Sequence, residues 1–394
     1  MAFTTPLERT VALLALGCWA TTASATCPDP ATYDLTTMPD QVDHPLTFDC
    51  VSRQAFPHND CDKNIVVYPQ GVTDGPVMLW LAGTDGTPDN NRHVLNIAGF
   101  AGYRVIAPSW DNGDPPGAVC STTTYLGGPC TTDCTEAMRR ELITGTDETA
   151  SPFVPERLQS LSYRIGMLID ELVGDDLADN GVNDHGWEQL CTPDPDHGTA
   201  ITWSDLVVAG HSMGGNQATY ISYAHATHGA FIVESGYDVC EAATITTLAD
   251  IYDPNHDYND PAWGEPVSYY TTLTDQSPGK RVFAMHKTDP FPTCVYPDFP
   301  PSFTDHLASN PVSEYDVEVA ATPFTLEEVI TTSQWPVDPK DCTAELPEHQ
   351  SLAIDQCMPT GFSSEAEALN PDTTDSTSSL YLFETYLEAM CSLY

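Results

Sequence analysis

Residues 205–224, DLVVAGHSMGGNQATYISYA, set Ser212 between Gly210 and Gly214 in a G-x-S-x-G pattern. A serine hydroxyl attacks a carbonyl only when a neighbouring base takes its proton and the backbone presents it to a cleft. The pattern meets the second need: a sharp turn holds the serine in a strained conformation at the carboxyl end of a strand, where side chains at the flanking glycines would clash. With 25 glycines among 394 residues, such a pattern arises by chance in about one in ten chains, so its flanks decide. LVVA before Gly210 reads as a buried strand and NQATYISYA after Gly215 as a helix. Strand, turn and helix are what the motif requires, and a helix N-terminus favours developing negative charge.

On these residues the chain resembles the α/β-hydrolases, and GHSMGG is similar to the elbow of their secreted esterase, lipase and polyester-hydrolase branches. The resemblance spans residues 64–110 and 205–289 and implies the chain order serine, acid, histidine. Of the twelve histidines, His286, His306 and His349 lie at the end of the RVFAMH segment or beyond it. The family layout implies an acid after RVFAMH, which selects Asp289 in HKTDPF; Asp238 in ESGYDVC is the alternative acid, and a turn-forming role before Pro290 is the alternative for Asp289. It implies a histidine after one further strand, and YDVEVAA at 315–321 suits that strand. His306 precedes it and His349 follows it, so His349 is the expected base, on a loop between Cys342 and Cys357 whose pairing would staple it. The competing account is an exposed loop histidine beside Glu348. His286 breaks the chain order and His211 adjoins the nucleophile; both are read as packed residues.

An oxyanion hole needs two backbone N–H donors, the first normally from the residue after the nucleophile, here Met213. The resemblance places the second in a loop after an early strand, and LWLAGTDG offers Gly83, Thr84 and Asp85. This departs from an HGGG form and looks more like the cutinase-like arrangement, which selects Thr84.

The elements that must position these groups are visible as short β-branched runs: NIVVY from Asn64, VMLWLAG from Val77, YRVIAPSW from Tyr103, LVVAG from Leu206, FIVESG from Phe231 and RVFAMH from Arg281. Several are apolar throughout, as strands covered on both faces must be. Between the third and fourth, PERLQSLSYRIGMLIDELV carries Leu158, Leu161, Ile165, Leu168, Ile169 and Leu172 at helical spacing, with Pro155 as a first-turn residue. A second helical stripe, Leu380, Phe383, Leu387 and Met390, closes the chain. Strands alternating with helices predict an α/β fold, a mostly parallel central sheet with helices on both faces, in one domain over residues 26–394. Residues 111–154, 239–279 and 290–348 read as long insertions, carrying cysteines that suit disulfides.

The first 25 residues combine Arg9, an apolar run from Val11 to Ala20 and the small residues Ala23, Ser24 and Ala25, the pattern of a secretory signal peptide. The run is about half the ~20 residues a membrane span needs, so no transmembrane segment is expected. Ala15-Leu16-Gly17-Cys18 loosely matches a bacterial lipidation box, a minor alternative. Twelve of the thirteen cysteines lie beyond this leader, an even number suited to disulfides in an extracellular or periplasmic compartment. The nearest zinc-like pair, Cys130 and Cys134, has no matching pair at finger spacing, and no metal is expected.

A net charge of −44 repels phosphate backbones and anionic lipid surfaces and excludes nucleic acid as a partner. It suits either a protein adapted to high salt or an ordinary acidic secreted one. DDLADNGVNDHGWE from Asp175 has a calcium-loop glycine, but Ala178 stands at a ligand position and no acid closes it; an exposed acidic turn is the default. YDPNHDYNDPAWGE from Tyr252 reads as a lid or loop. Trp110, Trp187, Trp263, Phe291, Tyr296 and Trp335 lie in or beside the insertions and suit either an acyl pocket or the core.

The expectation is a secreted serine hydrolase that cleaves neutral ester, lipid or polyester substrates through Ser212, His349 and Asp289, without a cofactor. A serine peptidase or amidase with the same triad, and a catalytically silent binding module of the same fold, are the alternatives.

Overall fold

β-Branched and apolar runs need partners on both faces, and one large sheet supplies them. The computed structural model describes residues 39–44, 63–69, 75–113, 120, 132–148, 160–178, 185–194, 198–233, 281–285, 316–317, 386–387, 389–391 and 393. In chain order these give β1 (Asp40–His44), β2 (Asn64–Tyr68), β3 (Val77–Leu81), α1 (Arg92–Phe100), β4 (Arg104–Ala107), α2 (Thr132–Thr144), α3 (Leu161–Ala178), β5 (Cys191–Asp194), β6 (Gly198–Ile201), β7 (Leu206–His211), α4 (Met213–Ala224), β8 (Gly229–Val233), β9 (Arg281–Met285) and β10 (Asp316–Val317).

Eight strands form one sheet in the order β1-β2-β4-β3-β7-β8-β9-β10, while β5 and β6 make a separate antiparallel pair. β2 runs antiparallel to both β1 and β4, and every other neighbouring pair in the large sheet is parallel. β3 therefore sits between β4, which follows it, and β7, which comes after the chain has crossed back. The strand order reverses at β3 and β7, and such a reversal opens a crevice at the carboxyl ends of the two strands.

Alternate residues of each strand enter different layers, as the period of two demands. Along β3, Val77, Leu79 and Leu81 join one core while Met78 and Trp80 join the other. The first core is covered by α2, α3 and α4, with Ile165, Leu168, Ile169 and Leu172 of α3 all at 1% exposure or less; each gains ~1.5–3 kcal/mol by leaving water. The second is covered by α1 and by Tyr386, Leu387 and Met390, and the Tyr103 hydroxyl donates to the Met390 carbonyl at 2.7 Å. The central sheet with helices on both faces is thus the expected α/β arrangement.

Several details depart from the sequence reading. α3 begins at Leu161 rather than near Pro155, because the Ser160 hydroxyl accepts the Tyr163 N–H at 3.3 Å and caps the helix there. It runs on to Ala178, so Asp175 and Asp176 are helical and not the start of a loop. Asp176 instead takes the His185 backbone N–H at 3.0 Å and its imidazole Nδ1 at 2.8 Å. Residues 111–154 hold α2, an element their Cys, Gly and Thr content concealed. Neither β1 nor the β5–β6 pair was anticipated, and Trp187 is fully buried beneath the Arg104 guanidinium, 5.0 Å from its ring centroid. Leu380, Phe383, the leader and the Tyr252 segment lie outside the described residues.

One disulfide joins Cys120 to Cys134 in the first turn of α2, across 14 residues, and Cys391 is also disulfide-bonded. Closing a loop of this size stabilises a fold by about 3 kcal/mol. A Cys120→Ser/Cys134→Ser variant should lose roughly that amount in urea unfolding. An unchanged midpoint would remove this bridge from the stability of α2. Among the described residues, no helix is long and apolar enough to cross a membrane.

Candidate active site

β7 delivers Ser212 to the mouth of the crevice and α4 begins at the next residue. Ser212 has φ 53° and ψ −123°, a region that L-residues avoid at a cost of about 1–3 kcal/mol. Its backbone is held on both sides: its N–H donates to the Val233 carbonyl at the end of β8 at 3.0 Å, and its own carbonyl accepts the Asn216 N–H at 3.0 Å. Held this way, the side chain is half-buried at the amino end of a twelve-residue helix.

The two glycines are steric necessities. A Cβ on Gly210 would lie 2.5 Å from the Gly214 carbonyl carbon, and one on Gly214 would lie 2.1 Å from the Leu81 carbonyl oxygen. The turn can therefore close against the end of β3 only with hydrogen at both positions. Gly83 has a similar function across the cleft, since its Cβ would meet His211 Nδ1 at 3.0 Å and Ser212 Cβ at 3.1 Å. His211 itself is buried at the end of β7, with 3% exposure.

β3 pairs with β7 so that Leu81 stands opposite Gly210. The loop that follows Leu81 is consequently brought beside the loop that follows Gly210. There Gly83, Thr84, Asp85 and Gly86 form a tight turn closed by the Gly86 N–H on the Gly83 carbonyl at 2.9 Å, with Asp85 at φ 54°. The Asp85 N–H donates to the Asn112 carbonyl at 3.3 Å. One amide of the turn is thus used within it and another by the Asn112 backbone carbonyl, while Thr84 is exposed at its crest. The Met213 N–H belongs to the first turn of α4, where helical N–H groups have no partner within the helix.

The support beneath these donors comes from the connection after β4. The Trp110 indole N–H donates to the Ala82 carbonyl at 3.1 Å, and the Asn112 amide donates to Gly83 and Gly86 carbonyls at 2.5 and 2.8 Å. Trp110, one of the aromatics considered for an acyl pocket, is a buried brace in the first core. Ser109 is fixed in turn by Asn64, which accepts its N–H at 3.0 Å, and by Arg164, which donates to its carbonyl at 2.9 Å. Burial pushes the Arg164 guanidinium down to about 10, against the opposing pull of Asp111, so it stays charged at neutral pH.

Beneath α4, Arg139 of α2 is fully buried. It donates to the Met213 carbonyl at 3.4 Å and to Gln217 Oε1 at 3.2 Å, and the Gln217 amide returns a bond to the Arg139 carbonyl at 3.0 Å. Neither Asn112 nor Arg139 was singled out from the sequence. Ser212 and Met213 stand at the β7–α4 junction and Thr84 in the turn after β3, the strand paired with β7, whereas Asp289, Asp238, His286, His306 and His349 lie outside the described residues. Among the described residues no cluster of three or more His, Cys, Asp or Glu side chains could hold a metal ion.

The strand order, the antiparallel β2, and a positive-φ serine between β7 and α4 define the α/β-hydrolase fold. No family model and no curated protein matches the chain. Similar solved structures include an S-formylglutathione hydrolase from Agrobacterium tumefaciens, with 16% identity over 63% of this chain and 77% of that one at a TM-score of 0.32. A hyperthermophilic esterase from the archaeon Pyrobaculum calidifontis shows 10% identity over 63% and 68% at 0.30. The Pyrococcus horikoshii acylaminoacyl peptidase shows 8% identity over 69% of this chain and 36% of its own at 0.31. At these identities and TM-scores none of them assigns this chain a substrate.

Proposed function

We propose that the protein is a secreted serine hydrolase that cleaves neutral carboxylic esters through an acyl-enzyme intermediate. The observation that carries this reading is Ser212 at φ 53° between a strand and a helix, a conformation whose cost is repaid when the hydroxyl must face a cleft. Ser212 Oγ attacks the ester carbonyl while His349 takes its proton and then passes it to the departing alcohol. Asp289 orients the imidazole and stabilises it once charged. The Met213 and Thr84 N–H groups receive the oxyanion, and water attacks the acyl-serine in the second half-reaction with His349 again as base. The net charge of −44 disfavours strongly anionic substrates.

The test is labelling of Ser212 by a fluorophosphonate, combined with a short-to-long acyl ester series and matched amides. Labelling with ester turnover above amide turnover supports the reading; amide turnover above ester turnover makes the protein a peptidase or amidase. No labelling and no turnover make it a binding module.

A pH profile tests the base. His349 acts only when neutral, so kcat/KM should rise with pH through its pKa, near the reference value of about 6.5, and level off above it. His349→Ala should abolish that limb together with at least ~10³-fold of the rate. Full activity in this variant would assign the base to another histidine.

A further inference from the structure

Asn112 is buried, at 1% exposure, in the connection that leaves β4. Its side-chain amide nitrogen donates to the Gly83 carbonyl at 2.5 Å and the Gly86 carbonyl at 2.8 Å, and its backbone carbonyl accepts the Asp85 N–H at 3.3 Å. A single residue therefore bonds three of the four members of the turn that carries Thr84. The fourth, Thr84, is exposed at the crest, next to Gly83, whose added Cβ would stand 3.1 Å from that of Ser212. Asp85 at φ 54° occupies a left-handed region that aspartate enters more readily than most side chains, and the bonds from Asn112 add to the hold on the turn.

We infer that Asn112 is a positioning residue for the oxyanion hole: it fixes the peptide plane between Gly83 and Thr84 so that the Thr84 N–H points into the cleft. The Gly83 carbonyl is the other end of that peptide unit. Because the unit is planar, drawing the carbonyl oxygen toward Asn112 turns the N–H to the opposite side. Asn112 thus sets the direction of a donor it does not touch. The inference rests on the serine-hydrolase reading and adds a residue to it.

Such a donor contributes in the transition state, where charge collects on the carbonyl oxygen, and little to ground-state binding. Asn112→Ala should accordingly lower kcat by about 10–100-fold while KM stays within threefold, less than the ~10²–10³-fold loss of a donor outright. Affinity for a boronic acid that forms a tetrahedral serine adduct should fall by the same factor as kcat. Asn112→Ser, which keeps one hydroxyl donor on a shorter arm, should recover part of both losses. It carries the same test if the alanine variant fails to fold.

A folded variant whose kcat and boronate affinity stay within threefold of a wild type that does hydrolyse esters would overturn the positioning role alone. So would a variant that loses activity through KM with kcat preserved. A wild type that neither hydrolyses esters nor binds the boronate would overturn the serine-hydrolase reading and this inference with it.

Discussion

Ser212→Ala should lower ester turnover by about 10⁴–10⁶-fold and abolish fluorophosphonate labelling, while substrate still binds. The loss is this large because the base and the acid act only through the hydroxyl; without it the remaining acceleration comes from the oxyanion donors and from binding. The same position should behave in the opposite sense toward stability. Ser212 carries φ 53° at a cost of about 1–3 kcal/mol, and Ser212→Gly removes most of that cost. An inactive Ser212→Gly protein with a raised urea midpoint is the expected pair of results. A lowered midpoint would mean that the turn is relaxed, and the reading of Ser212 as a strained nucleophile would lose its main support.

Gly214→Ala should be severely disruptive, its added methyl meeting closer backbone than at Gly83, Gly86, Gly99 or Gly210. The added carbon would stand 2.1 Å from the Leu81 carbonyl oxygen and 2.5 Å from that of Ala82. Both are backbone atoms of a buried central strand and its continuation, so no side chain can swing aside. α4 must move away from β3 instead, and overpacking of this kind costs about 1–3 kcal/mol or more. That movement separates Met213 from Thr84, and a displacement of about 1 Å in a catalytic group is worth roughly 10²-fold in rate. Urea unfolding and kcat should therefore both register the change. A stable, fully active Gly214→Ala protein would show that the close approach of α4 to β3 is not needed.

The central part of this architecture was legible in the sequence because it obeys short-range rules. LVVAG is apolar on both sides of its pleat, so it reads as an interior strand, and the glycines around Ser212 announce a turn that tolerates no side chain. Thr84 was named from the resemblance, and the structure puts it in the exposed turn after β3. The braces were not legible, and for a physical reason: Asn112 lies in a run of Asp, Asn and Gly that reads as a solvent turn, and only the tertiary fold carries it beneath Gly83. Arg139 sits in a polar segment, TDCTEAMRRELIT, where a charged residue is expected on the wet face, yet it is fully buried against Gln217. The start of α3 was missed because the apolar spacing extends upstream of Ser160, and a serine cap ends the helix before that pattern does. The β5–β6 pair, CTPD and GTAI, is too short and mixed to show a period.

Both expected oxyanion donors lean on the same stretch of chain. Trp110 and Asn112 brace the loop of Thr84, and Arg139, a little further on, braces the helix of Met213. The Cys120–Cys134 bridge lies between the two sets of braces. This stretch is where a protein of this fold is free to vary in length and composition, since it is a crossover and not a strand. Here it also braces both loops of the proposed site. Exchanging it for a shorter connection from another protein of this fold would alter the two donors together, and substitutions within it should combine non-additively with substitutions in either donor loop.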